Sequence, residues 1–322
     1  MKISNAIKIA TSNKALCIKT LLYKLVVILA CVTSLFLFAN IVIEPILKSQ
    51  EVFNLFNATR NIVKNFIMMS PDQQSAEYGE IIKQSISALH TNILNMSCEI
   101  IFVAIAMVLV LAFTSFLLAL GDYSIAVNVF EHMTCMRHAS FFSTLFDNFK
   151  KASRYAIFKT LFTMLYYGLA LSLITLVIIA TAKFLGIYVI TLLIFLLLFV
   201  SALNFALVGL VLPIMINEKL SPIQSFKKSF KNGVYKLLFS RLVSYFIMNV
   251  LIYVIGVVST IITFFVALLA IIPLASIAYI ALTFVDYYSI IKNKYYITYD
   301  QIIIPKELRT NDEHLLNKVD ID

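Results

Sequence analysis

The sequence predicts an all-α polytopic membrane protein. It has six transmembrane helices arranged as three hairpins, with a further helical hairpin on the extracytoplasmic side. Three observations predict it. Hydrophobic residues fill 61% of the 322 positions and charged residues only 13%, and the mean hydropathy is +0.92. Soluble domains run nearer half apolar and a quarter charged, so this chain lacks the polar surface to cover a water-facing fold. The apolar residues cluster into stretches of roughly 20, the length that crosses about 30 Å of hydrocarbon. The basic residues gather in alternate loops, as membrane topology demands. With 7 glycines and 6 prolines, a collagenous, disordered or turn-rich all-β chain is excluded.

Residues 1–22 read as a basic cytoplasmic segment, and the first span is introduced by five lysines, Lys2, Lys8, Lys14, Lys19 and Lys24, with no acid. The membrane domain then runs over 23–304. Its first span is 23–43. A cleaved signal peptide has an apolar core of about 7–15 residues ending in small side chains. This run is longer and continues into Phe36, Phe38 and Ile41, so an uncleaved span is preferred.

The outer segment, 44–99, reads as two helices. Val52, Leu55, Phe56, Ile62, Val63, Phe66 and Ile67 share one helical face. Ser70-Pro71-Asp72 breaks the run, with Ser70 suited to cap the next helix and Pro71 to its first turn. Ile81, Ile82, Ile86, Leu89, Ile93 and Leu94 form a second apolar face. Burial of Phe53, Phe56, Phe66, Ile82 and Leu89 is expected, because apolar area left in water costs about 25 cal/mol per Å2. A hairpin packed on itself or lying on the outer leaflet is the plainer reading. A ligand- or partner-binding cap is the sharper one.

The remaining spans are 100–120, 161–182, 185–212 and a nearly uncharged stretch at 242–291. The last is too long for one helix at 1.5 Å per residue, so it reads as two spans turning near Ile271-Ile272-Pro273. Inner basic segments lie at 121–160 and 213–241, and a charged tail at 305–322. Loop charge puts both termini in the cytoplasm.

The net charge of +9 is read as this loop bias and an attraction to anionic lipid headgroups. No basic, aromatic-interleaved domain stands apart from the spans, so nucleic acid is not an expected partner. The expected partner is the bilayer, with room for a membrane-protein partner. Cys17, Cys31, Cys98 and Cys135 share no CxxC spacing, which argues against a structural disulfide or zinc site.

The two inner segments resemble each other at an offset of 77. Phe149, Lys150, Lys151, Lys159, Leu161 and Phe162 recur as Phe226, Lys227, Lys228, Lys236, Leu238 and Phe239, and Arg154 corresponds to Lys231. Each segment is expected to lie near the inner membrane surface as a helix leading into the next span. Its Phe side would rest in the acyl boundary and its lysines on phosphate. The membrane-surface basic set is therefore Lys150, Lys151, Arg154, Lys159, Lys227, Lys228, Lys231 and Lys236. Duplication is one explanation. The other is that any interfacial helix needs Phe and Lys at helical spacing.

In residues 213–233, Pro213 is read as ending the fourth span, since proline cannot donate a backbone hydrogen bond. Glu218 follows five residues later. Ser221-Pro222 then restarts a helix, with Ser221 as its cap, and Lys227, Lys228, Ser229, Phe230, Lys231 and Gly233 complete the run. This stretch resembles the loop of a bacterial multi-pass membrane family. That family includes the membrane domain fused to some glycerophosphodiester phosphodiesterases, and stand-alone proteins of unknown function. The resemblance implies a fold and a membrane location. No part of the chain has room for the phosphodiesterase domain, so it does not imply the hydrolase activity.

Polar groups inside apolar spans are the usual places to look for function. Asn204, Asn249 and Asp286 are the intramembrane candidates, with Asn40 nearer a span end. The plainer reading has the asparagines joining helices by hydrogen bonds and Asp286 as a capped carboxylate near the cytoplasmic end. Glu131, Cys135 and His138 share a helical face, but zinc wants four ligands, so a solvated face is preferred to a metal half-site. No HExxH, GxSxG or phosphate loop is present, and no cofactor is expected.

The preferred function is therefore a non-catalytic integral protein of the bacterial cytoplasmic membrane, with a scaffold, accessory or lipid-surface role. The alternative is a transporter or permease for a small solute or lipid. An internal cavity reaching Asn204 would favour the alternative, and a tightly filled bundle the first.

Overall fold

The computed structural model describes residues 2–67, 74–136, 140–231, 234–263, 266–298 and 301–305. Among the described residues the chain is all-α apart from one two-stranded hairpin. Six of its helices are long and apolar enough to cross a membrane, which makes it a multi-pass membrane protein. The described residues form two compact units, one of residues 1–27 with 115–322 and the other of residues 28–114.

The larger unit begins with α1 (Lys2–Ser12) and the first turns of α2 (Lys14–Leu47). Far from being a plain charged segment, α1 is amphipathic. Asn5, Ala6, Ile9 and Ala10 are buried, spaced to fall on one side of a helix. It packs against α12 (Leu268–Ile291). The far part of α5 (Ser97–Cys135) follows, then the short α6 (Phe141–Asp147) and α7 (Phe149–Leu185). Ser124 Oγ on α5 donates to Phe141 O at 2.6 Å, tying α6 to α5.

A 3-10 turn at Gly186–Tyr188 leads into α8 (Val189–Val208) and α9 (Val211–Glu218). The break between them corrects the expected role of Pro213. The proline does not end the helix; it lies buried as the third residue of α9. It has no N–H to give the Gly209 carbonyl, so the helix breaks one turn earlier. The ladder resumes where Ile214 N–H reaches Leu210 O at 3.2 Å.

The helix α10 (Pro222–Lys231) starts as expected. Ser221 Oγ accepts from Gln224 N–H at 3.4 Å and Ser221 N–H donates to Gln224 Oε1 at 3.2 Å, a reciprocal capping box. Then comes α11 (Val234–Thr263), which packs on α8 and α12. The turn into α12 lies between Thr263 and Leu268, not at the expected Pro273. Thr263 Oγ1 accepts from Ala267 N–H at 3.0 Å across it, and Pro273 sits inside α12.

After α12, β1 (Tyr295–Thr298) pairs antiparallel with β2 (Gln301–Ile303). Asn5 on α1 donates to the Tyr295 hydroxyl at 3.2 Å, and His132 Nε2–H donates to Ile297 O at 3.0 Å. Burial pushes the Tyr295 phenol up from its ordinary range. Only residues to 305 of the tail fall among the described ones.

The smaller unit holds the rest of α2, the helices α3 (Gln50–Ile67) and α4 (Gln74–Asn95), and the start of α5. Two helices follow α2 as expected; the break at Ser70-Pro71-Asp72 lies outside the described residues, as does the Phe66 side chain. The direction of the apolar faces is a correction. Phe53 and Phe56 are 59% and 67% exposed, while Ala58 and Ser85 are buried, and Ile82 and Leu89 are half-buried. Small side chains let α3 and α4 approach. Asn54, Asn57, Asn61 and Gln84 line the groove of about 510 Å3 between them, so the phenylalanines are left on the flanks.

Of the two basic segments, the first forms the opening turns of α7 and leads directly into its span. The second runs over α10 and the start of α11, and Asn232-Gly233 between them lie outside the described residues. Phe226 of α10 is half-buried. Its ring meets Phe158 and Phe162 of α7, each at 5.5 Å.

Candidate functional site: a polar cavity among the span helices

The site is built outward from Gly121. A Cβ there would lie 2.5 Å from Tyr23 Cε1, so glycine lets the Tyr23 ring rest on α5. The Tyr23 hydroxyl donates to Leu117 O at 2.6 Å and fixes α2 against that helix. The next residue on each side then meets the other. Lys24 Nζ lies 3.3 Å from Asp122 Oδ1.

A second lysine reaches the same carboxylate. Lys159 Nζ on α7 is 2.6 Å from Asp122 Oδ2. The side chains of Lys24, Asp122 and Lys159 are 11%, 15% and 27% exposed. Charges this far out of water persist only when paired and hydrogen-bonded. Lys24 also donates to Ser276 Oγ at 2.5 Å, and Ser276 in turn donates to Ile272 O at 2.8 Å. The serine oxygen thus accepts from the ammonium while its proton goes to a carbonyl, which links α2 to α12.

These groups border a cavity of about 250 Å3. From α7 come Tyr155, Lys159, Thr163 and Tyr167, one residue every four along a single helix face. From α8 and the break after it come Asn204, Phe205, Val208 and Gly209. From α12 come Ser276, Tyr279, Ile280 and Thr283. A Cβ on Gly209 would lie 2.5 Å from Phe205 O and 3.1 Å from the Tyr245 hydroxyl, so the wall closes there only because the residue has no side chain.

Of the intramembrane candidates, Asn204 lines the cavity. Asn249 stands one layer behind it. Its Nδ2 donates to Leu198 O at 2.9 Å and its Oδ1 accepts from the Tyr279 hydroxyl, so it joins α8, α11 and α12. The Tyr279 ring stacks on Phe205 at 4.6 Å, with the planes 2° apart. Asp286 is not part of the cavity. It is buried against Lys2 of α1, 2.8 Å away, and close enough to the buried Arg241 for the two charges to attract.

The basic set divides. Lys150, Lys151, Arg154 and Lys227 are exposed. Lys228 pairs with Glu218. The side chains of Lys231 and Lys236 lie outside the described residues. Lys159 is the correction: it is no surface lysine but one arm of the triad with Asp122. Glu131 is half-exposed and Cys135 exposed at the end of α5, and His138 lies outside the described residues.

Sequence reasoning missed Lys24, Asp122, Lys159 and the tyrosines as a site. The signal it had was the four-residue spacing of Tyr155, Lys159, Thr163 and Tyr167. What it lacked was any sign that Asp122, 37 residues earlier, meets Lys159. No family model, curated protein or solved structure matches the chain.

Proposed function

We propose that this protein is a permease-like carrier of the bacterial cytoplasmic membrane, taking a small solute or a lipid headgroup into the cavity beside Asn204. The carrying observation is the cavity itself, about 250 Å3 set among apolar spans and bordered by a lysine–aspartate–lysine triad. A scaffold gains nothing from such a space, because an empty volume forfeits packing contacts and buried charges cost free energy. The cavity therefore reverses the order in which sequence ranked the two functions, and transport stands ahead of a scaffold role. The reading keeps the protein non-catalytic, with Ser276 held as a link between Lys24 and the Ile272 carbonyl. It places the triad end of the bundle and both termini in the cytoplasm, where exposed Lys150, Lys151, Arg154 and Lys227 meet anionic headgroups. A membrane-protein partner is compatible with it.

Native mass spectrometry of the purified protein tests this reading against the variant Asn204→Phe, which fills the cavity. The expected result is one small molecule retained per protein and its loss in the variant, with thermal unfolding unchanged. Equal retention in both proteins, or none in either, would overturn it.

A further inference from the structure

We infer that the cavity takes an oxyanion of single net charge, seated between Lys24 and Lys159 and balancing the one ammonium charge that Asp122 leaves over. The inference rests on the carrier reading above and names the ligand class for the same site. Its basis is a count of charges and donors. Two ammonium groups and one carboxylate face this space, leaving one positive charge. Among the described residues no other acidic side chain lines the cavity. An uncompensated charge in an apolar setting is expensive, and an entering anion removes that cost. A cation would double the imbalance.

Donors point the same way. An ammonium carries three N–H bonds. Lys24 directs its donors to Asp122 and Ser276, and Lys159 directs one to Asp122 and lies 5.9 Å from the centre of the Tyr155 ring. Each lysine keeps donor capacity for an oxygen placed between them. Around that point Tyr155, Thr163, Tyr167 and Asn204 offer neutral hydroxyl and amide groups. Phe205, Val208, Leu212 and Ile280 supply an apolar wall for the rest of the ligand. At about 30 Å3 per water, the space equals about eight waters. A short-chain carboxylate or a phosphodiester headgroup fits that size and charge.

Binding measurements on the whole protein in neutral detergent test the charge logic and the source of the anion. The probes are sodium butyrate, followed by calorimetry, and phosphatidylglycerol or phosphatidylcholine, followed by native mass spectrometry. We expect a singly charged probe to bind and phosphatidylcholine not to compete with it. Phosphatidylglycerol alone would identify a lipid headgroup as the source, and butyrate alone a free solute. Lys159→Gln, which brings the net charge to zero, should weaken anion binding at least tenfold.

The double variant Asp122→Asn with Lys159→Gln keeps one positive charge on Lys24 and should recover most of that binding. This second variant separates charge balance from damage to the fold. If phosphatidylcholine binds as well as the anions and Asn204→Phe abolishes it, the anion inference is wrong while the carrier reading stands. If no probe binds, or Asn204→Phe leaves binding unchanged, both fall. Failure of the double variant to recover while its unfolding temperature matches the parent would also overturn the inference.

Discussion

The Lys2 ammonium lies 2.8 Å from the Asp286 carboxylate across 284 residues of chain. Asp286 is 1% exposed and Lys2 37%, so the acid is enclosed and the base closes the opening. The helix that carries Lys2 buries its other face on α12. The pair is therefore the polar end of an otherwise apolar contact. Removing Lys2 leaves Asp286 with one fewer partner in a place that water does not reach.

Lys2→Gln is expected to destabilise the fold by about 1–3 kcal/mol, the cost of a buried polar group left short of partners. The lower part of that range applies because Lys2 is over a third exposed and its charge is partly screened. Thermal unfolding in detergent measures it. Adding Asp286→Asn should recover most of the loss, since the two sites share one interaction. Additive losses would show that the pair is not the source.

Gly121→Ala should move Tyr23 off α5 and lengthen the Lys24–Asp122 contact, with a stability cost of about 1–3 kcal/mol from overpacking. Tyr23→Ala in the same chain opens the needed space. The double variant is expected to unfold closer to the parent than the sum of the single losses. An unfolding temperature for Gly121→Ala equal to the parent's would mean that Tyr23 yields at no cost.

Ser221→Ala removes the side-chain half of the α10 capping box and should cost about 1 kcal/mol. The effect should be local. Amide exchange at Ile223 and Gln224 is expected to quicken, with exchange in α8 and α12 unchanged. A change spread through the whole unit would show that α10 holds more of the fold than its cap.

In the outer hairpin, Ala58→Phe should separate α3 from α4, because Ala58 is buried between them. Phe53→Ser should leave the pair as it is, since Phe53 lies on the flank. Spin labels on Asn54 and Gln84, the groove residues, report the separation. Lengthening with Phe53→Ser and none with Ala58→Phe would reverse the assignment of inner and outer faces.

The spans were legible because an apolar run of about 20 residues has few other stable homes. The α10 start was legible because Ser221, Pro222 and Gln224 are local signals. Span ends were less so. Pro273 reads as a stop but sits inside α12, since a membrane helix tolerates proline where neighbours accommodate the freed carbonyl, and the break that Pro213 causes falls one turn before it. The docking of α1 was written in Ile3, Ala6, Ile9 and Ala10, but the lysines between them read as a solvated segment. Asn249 was legible as a link between helices. The triad was not. Asp122 lies just beyond the apolar core of its span and Lys159 just before the next, so each passed as loop charge. Lys24 in turn meets Asp122 beside the close contact of Tyr23 with Gly121, which no spacing rule reveals.

The docking of α1 also sets an order of events during synthesis. Asp286 and Tyr295 are made 284 and 290 residues after their partners Lys2 and Asn5. At about 5–20 residues per second, that interval is on the order of 15–60 s. For that time the helix has neither α12 to cover its apolar face nor a carboxylate for its first lysine. The bundle closes at this end only when α12 arrives. Translation itself thus acts as the clock for final assembly, and an arrest of synthesis before α12 would leave the earlier spans without their closing piece.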